Sequence, residues 1–545
     1  MNNLSKKNSF NKVTKLIENC LAQEKINEAI KHLLVAHKLE PKNFAVLNEL
    51  GTCHSKIGDY KSALDYHLKA HYLSKENPIL IANIGIDLLR LENFEEAIDI
   101  FNEAIRLDPQ NLIALNGLNE TYNSIGDYIN LCSNSIKGIT LFPSNFEFHL
   151  NLGLALIGLN NLDEAKYSTE TALKLNPNCY EAKLNIANIL SAQQQNFKAI
   201  QIYENVLLDS NKLSSRLISS IKYNLSYEYL NLGKIQEGWD LYDNGLAKTI
   251  SFSKRRRPDR SFSVPQWEGH ELNSETLMVW GEQGLGDEIM FLSLIPDLLS
   301  KVKNLILETE PRILEITQRS FPSIKVRAYS FSNDGNQTNF DYNYHIPIGS
   351  LNKFLRKSIS NYKNKKPYLV PRTGIEHIFN ELIDSNSKKL IIGICWRSGL
   401  MNIERSLNYI PLDMWSEIFS IPNAIFINLQ YSDCEAELIN AEKKFNIKIH
   451  RWPDIDLKND LDTVFSLISK LDLVVTAATA VSSMSFSIGT PTLTFYAGRY
   501  WANLGTDYYP WSCFNKPFFP EKSEKLPEVL KKIASHIKNS YVKGT

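Results

Sequence analysis

The sequence predicts two architectures in one chain: a helical-repeat solenoid, then an α/β region built on parallel sheets. Three observations predict this. Small residues and prolines recur every 34 residues through the first half. That period stops near residue 245. Beyond it, short apolar runs alternate with helical segments, and glycine- or serine-rich turns follow the runs, the pattern of β-α-β units.

The period is read from fixed offsets. Ala29, Ala63, Ala97, Ala165 and Ala199 are separated by 34 or a multiple of it; Gly51, Gly85 and Gly153 keep the same step, as do Pro109, Pro143 and Pro177. In NIGIDLLRLENFEEAIDIFNEAIRLDPQN, Gly85, Ala97, Phe101, Ala104 and Pro109 occupy the small, small, large, small and helix-stopping slots of a tetratricopeptide repeat. Small residues let two antiparallel helices approach, a large one fills the gap, and proline ends the second helix. Leu131 breaks one alanine slot, and a late unit is offset by about five residues, with Gly238 in that slot. Six to seven repeats are expected, making residues 1–245 a repeat array. Arrays of this kind hold an extended peptide or a partner protein.

Residues 246–274 read as a linker. They lack periodicity and carry five basic residues within Lys254–Arg260; a solvated surface is the expected role of that run, with a phosphorylated ligand as the alternative. Trp267 is expected to plug the junction between the repeats and the next domain.

Strand-like runs then fall in two sets. LMVW, NLILET, IKVRAYS and YHIPIG lie in 275–372; KLIIGICW, AIFINLQ, LDLVVTA and TPTLTFYA lie in 388–520. Residues 373–387 join the sets and 521–545 form a terminal helix. Two Rossmann-like halves with a cleft between them are expected, with ligands beyond the carboxyl ends of the strands.

Composition narrows the function classes. Lys+Arg and Asp+Glu are both 60, so net charge offers no argument for a nucleic acid partner. The seven cysteines are scattered without a C-x-x-C pair, which reads as reduced thiols. No window is apolar enough for a membrane span, and the first residues show no signal-peptide core. A cytoplasmic protein is expected.

The informative turns sit at strand ends. In GEQGLGDEI, Gly281, Gly284 and Gly286 permit a tight turn and close approach of the backbone. Asp287 follows at a helix start, where an N-cap is the competing role. GICWRSGLMNIERSL carries Arg397, Ser398, Gly399 and Arg405 after a strand; INLQYSD ends another with Gln430 and Tyr431. The small-residue turn Ala477–Ser483 opens a helix whose first N–H groups suit phosphate oxygens.

A repeat array followed by WGEQGLGDEIMF, CWRSG…ER, NLQY, DLKNDLDT and TAATAVSSMSFSIGTP resembles bacterial repeat-containing GT-B glycosyltransferases related to the heptosyltransferases. It looks most like those that transfer nonulosonic (sialic-like) sugars to flagellin. The plan is also similar to O-linked N-acetylglucosamine transferase. The resemblance implies a two-lobed GT-B domain that needs no bound metal. It also implies a CMP- or UDP-linked sugar as donor, no other cofactor, and an acceptor protein chosen by the repeats: flagellin or another surface protein. It maps the acceptor-side carboxylate to Asp287 and the donor-phosphate cation to Arg397, with Ser398 and Arg405 beside it on the donor side; a salt bridge to an Asp or Glu of the same lobe is the competing role for Arg397. Gln430 and Tyr431 would meet base or ribose, and Thr479, Ala480 and Val481 would form the phosphate turn.

Heptosyltransferases usually carry Asp-Thr-Ser-x-x-His in that turn. This chain has Ala478, Thr479, Ala480 and Ser483, which argues against a heptose donor. Asp454–Asp456 imitates a metal-binding D-x-D but reads as a loop. Asp460 and Asp462 read as helix caps. Trp501 and Trp511 either cover the sugar or pack in the core. The alternative function is a non-catalytic repeat scaffold with a degenerate transferase domain.

Overall fold

The computed structural model describes residues 3–250, 252–329, 341–362, 366–375, 377–386, 388–399, 406, 408–521 and 524–541. The chain forms two compact units. The first is Met1–Ala192 with Ser251–Lys254; the second is Gln193–Ile250 with Arg255–Thr545.

The first unit is all helical. The second helix of successive pairs begins at Ile26, Tyr60, Phe94, Tyr128 and Leu162, and the same step reaches Asn196 in the second unit. The 34-residue period is therefore a helix-start period. Four first helices begin behind an asparagine in the same register: Asn43, Asn77, Asn111 and Asn145. Each side chain accepts backbone N–H groups two or three residues on, a cap worth about 1 kcal/mol. Phe101 is the large plug. It is fully buried, and a Cβ on Gly85 or Gly117 would lie 2.6 or 2.3 Å from its ring. His67 takes that slot one repeat earlier, against Gly51, and its Nδ1 bonds buried Asp87. Leu131 in the alanine slot is fully buried.

The second unit opens with the helix Asn196–Leu207 and the end of the repeat series, a closing pair at Ser215–Asn231 and Ile235–Tyr242. Two parallel sheets follow. The first contains β1 (Thr276–Trp280), β2 (Asn304–Thr309), β3 (Lys325–Ala328) and β4 (Tyr344–Pro347) in the order β3-β2-β1-β4. The second contains β5 (Leu390–Cys395), β6 (Ala424–Asn428), β7 (Ile449–His450), β8 (Leu473–Ala477), β9 (Thr492–Phe495) and β10 (Asn515–Phe518) in the order β10-β9-β8-β5-β6-β7. Every strand pairing among the described residues is parallel. One apolar cluster runs from Trp239 and Tyr242 through β1 and β2 to Phe486 and Trp511, so the closing helical pair shares a core with the sheets.

The basic linker is not a solvated face. Arg255 pairs with Asp259, Arg256 with Glu282 and Asp243, and Arg260 with Glu308. Arg255, Arg256 and Arg260 keep 3% or less of their side-chain surface. Most of the acids that meet them lie elsewhere in the chain, so the run looks uncompensated when read locally. Trp267 is buried on the first sheet, its ring 5.3 Å from Phe354 and its Nε1 donating to the His270 carbonyl. The plug beneath the closing pair is Trp239, which meets Tyr242, Phe291, Trp501 and Trp511 and donates to the Tyr362 hydroxyl. Trp511 is fully buried in the core, while Trp501, partly exposed, packs on Tyr227 at its edge.

Candidate functional site at the strand ends

Each sheet has one place where the strand order reverses, and open α/β sheets bind ligands there, at the carboxyl edge. In the first sheet that place lies between β1 and β4. The chain fills it itself. Glu282 follows β1, accepts the Gly349 N–H at 2.9 Å from the turn after β4, and receives the Arg256 guanidinium. Ser350 and Asp243 complete the cluster.

In the second sheet the reversal lies between β5 and β8. The turn after β5 carries Arg397 and Ser398; the turn after β8 carries Thr479, Ala480 and Val481. Cys395, the last residue of β5, ties them together. Its Sγ lies 3.5 Å from Gln430 Oε1, 3.7 Å from Thr479 Oγ1 and 3.6 Å from the Arg397 carbonyl. Burial pushes this thiol up to about 11, so it stays protonated and packs rather than attacks. Gln430 Oε1 also accepts the Arg397 N–H at 3.1 Å, and Tyr431 donates to Ser398 at 3.1 Å. Arg405 lies outside the described residues.

Arg397 is engaged by its own half of the unit. Nε bonds Glu437 at 3.0 Å, Nη1 the Ser432 hydroxyl at 2.7 Å and Nη2 the Asp433 carbonyl at 2.8 Å. The Glu437 carboxylate, foremost, holds its pKa above the ordinary arginine value. Ser432 and Asp433 line an open pocket of about 490 Å³ with Asn428, Gln430, Tyr431 and Trp452.

The β1 turn meets the β8 turn. A Cβ on Gly286 would lie 3.2 Å from Ala480 Cα and 3.5 Å from Ser483 Oγ. Gly286 thus serves a close backbone approach, for which glycine is suited. Gly284 is the N-cap of the Leu285–Phe291 helix. Asp287 is therefore its third residue and not its cap; its Oδ2 lies 3.5 Å from where a Gly284 Cβ would stand. Val481 is buried, while Asp287, Thr479 and Ala480 keep partial exposure. Elsewhere Asp460 caps its helix through the Thr463 N–H, whereas Asp462 pairs with Arg319 beyond β2. Asp456 accepts the Lys458 and Asn459 N–H groups, the loop role expected of that acid.

Glu288 is a residue that sequence reading passes over. It is 3% exposed, accepts Thr309 Oγ1 at 2.6 Å and the Glu310 N–H at 2.9 Å, and packs on Gly281. Burial raises its pKa to about 7. A carboxyl raised in the fold adds stability below its unfolded value near 4.5 and loses it as pH rises through about 7. Glu288→Gln is therefore expected to raise the unfolding temperature at pH 8 and to flatten its decline between pH 5 and 8. Melting curves across that range check it; a parallel decline in the variant would refute it.

Residues 78–111 and 146–179 match the tetratricopeptide repeat family. The matched repeats are helix pairs of the first unit. Protein FlbA of Caulobacter vibrioides is 29% identical over 324 residues, covering 57% of this chain and 53% of that protein. The chain thus spans about half the length of the curated relative it matches. Among solved structures, a tetratricopeptide repeat protein from Parabacteroides merdae is 16% identical, covering 43% of this chain and 91% of its own, at a TM-score of 0.38. MamA protein is 22% identical, covering 31% and 92%, at 0.29. YrrB, described as a repeat protein with an unusual peptide-binding site, is 17% identical, covering 33% and 98%, at 0.28. No described helix is long and apolar enough to cross a membrane.

Proposed function

We propose that the chain is a GT-B protein glycosyltransferase of the cytoplasm. It would move a sugar, by resemblance a nonulosonic acid, from a CMP- or UDP-linked donor to a hydroxyl of a protein held by the repeats. Flagellin or another surface protein is the acceptor the resemblance favours. The observation that carries the reading is the convergence at the β5/β8 reversal: the small-residue helix start at Ala480 faces the Gly286–Asp287 turn of the other sheet. Transfer needs a base for the acceptor hydroxyl, dipoles for the leaving phosphate, and a closed cleft. In this reading Asp287 is the base. The first N–H groups of the Ala480–Ser487 helix hold phosphate oxygens, and the pocket beside Gln430, Tyr431 and Trp452 takes the nucleoside. Its volume lies in the range of small-molecule sites.

Arg397 then acts through the pocket wall, its side chain fixing Ser432 and Asp433, rather than by touching phosphate. Arg397→Ala is expected to weaken nucleotide binding about ten-fold, roughly 1.4 kcal/mol. An unchanged affinity would reduce the arginine to a surface tie.

The engagement of Arg397 by Glu437 is also what favours the second reading, a repeat scaffold that binds no donor. Calorimetric titration of the intact chain with CMP and with UDP separates the two. The transferase binds at least one of them; a chain that binds neither is the scaffold.

A further inference from the structure

The end of the repeat series is built into the second unit, and it brings tyrosines to the Asp287 turn. Tyr223 and Tyr227 stand one turn apart on the Ser215–Asn231 helix, their hydroxyls bonded to each other. Tyr242 comes from the next helix. Gln283, four residues before Asp287, donates its Nε2 to the Tyr223 hydroxyl at 3.2 Å and to the Tyr242 hydroxyl at 3.1 Å. It does so from a left-handed backbone, φ 67°, which costs a non-glycine residue about 1 kcal/mol or more and persists where surroundings enforce it. On the other side the segment after β9 supplies Tyr500 and Trp501, and the Trp501 ring lies 5.8 Å from Tyr227.

The group is not sealed. Gln283, Asp287, Tyr227, Tyr500 and Trp501 all keep partial exposure, while Tyr223, Tyr242 and Tyr509 are buried behind them. Burial, and after it neighbouring charge including the Asp287 carboxylate, holds the Tyr227 and Tyr500 hydroxyls well above the ordinary tyrosine range. They remain protonated donors at neutral pH. An amide NH₂ only donates, so the Tyr223 and Tyr242 oxygens accept from Gln283. Tyr223 and Tyr227 share one hydrogen bond, in which either hydroxyl can be the donor.

We propose that the closing helical pair forms one wall of the acceptor site, with Tyr227 a positioning residue whose hydroxyl hydrogen-bonds the acceptor polypeptide beside Asp287. This rests on the transferase reading with Asp287 on the acceptor side. A packing role alone would need the rings and not the hydroxyls, and it would not need a glutamine in a left-handed conformation to orient them.

The test uses intact chains carrying Tyr227→Phe, Tyr223→Phe or Asp287→Asn, each expressed in cells that lack the chain. Mass spectrometry identifies the protein whose mass depends on the unmutated chain, and that protein serves as acceptor in steady-state assays. Tyr227→Phe is expected to lower kcat/KM for the acceptor about ten-fold or more, chiefly through KM, with CMP and UDP affinity and melting temperature unchanged. Tyr223→Phe, which removes the hydroxyl bonded to Tyr227 but leaves Tyr227 in place, falls between. A Tyr227→Phe chain within two-fold of normal kcat/KM overturns the proposal, and so does a parallel loss of nucleotide affinity. If no protein's mass depends on the chain, the transferase reading fails and the proposal falls with it. Full activity of Asp287→Asn removes the acceptor-side role of Asp287 on which the proposal stands, whatever Tyr227→Phe does.

Discussion

Asp287→Asn is expected to lower transfer about 10²- to 10⁴-fold while leaving the fold intact, the range for loss of a positioned general base. The substitution keeps shape and removes basicity. Its structural cost is small because Asp287 is not the helix cap: Gly284 holds that position, and the side chain is partly exposed. Turnover is measured as modified acceptor per enzyme by intact-mass spectrometry, with circular dichroism and nucleotide titration as controls. Turnover close to normal would leave Asp287 with a local role at the helix start and would return the base to another group.

Arg256→Ala is expected to destabilise the second unit by about 3–5 kcal/mol, the range for leaving one member of a buried ion pair without its partner. Glu282 would lose two guanidinium bonds at complete burial, keeping the Gly349 N–H. Asp243, Ser350 and the Tyr242 carbonyl would lose one each, and the Tyr242 ring would lose a cation 4.0 Å from its centre. Because these partners come from the closing helical pair, the β1 turn and the β4 turn, the loss should loosen all three together. Urea unfolding followed by tryptophan fluorescence reports it directly, since Trp239 and Trp511 lie in the same core. A change below about 1 kcal/mol would mean the cluster is a surface-like network, of the kind whose pairs contribute little.

Much of the architecture is legible because it depends on local spacing. The 34-residue step in alanine, glycine and proline is the step of the helix starts, since each repeat makes the same contact between two helices. A second signal lies in the same register, less conspicuous among the chain's many asparagines: Asn43, Asn77, Asn111 and Asn145 are the caps that begin four of those helices. Apolar runs ending in glycine- or serine-rich turns mark the parallel strands, because strands buried on both faces read as near-continuous apolar runs.

The candidate site is legible only as a set of turns. Gly286, Asp287, Gln430, Tyr431, Thr479 and Ala480 are each visible as strand-end residues, but what each one meets is not. Arg397 reads as a phosphate ligand or as half of a salt bridge within its lobe, and tertiary structure gives it Glu437, 40 residues away, as that partner. The Lys254–Arg260 run reads as solvated because Asp243, Glu282 and Glu308, which pair with it, come from three other segments. Trp501 and Trp511 read equally well as a sugar cover or as core, and packing against Trp239 places Trp511 in the core while Trp501 stays partly exposed at its edge. Periodicity shows where the repeats stop, near residue 245, but not where the compact unit stops, at Ala192. By itself, the sequence determined the repeat array, the parallel α/β region and the turns that carry polar groups, all set by spacing within a few tens of residues. Only the tertiary structure decided which charges are paired, which tyrosines stand beside Asp287 and which helices share a core with the sheets. Those depend on contacts between segments far apart in the chain, which no local pattern encodes.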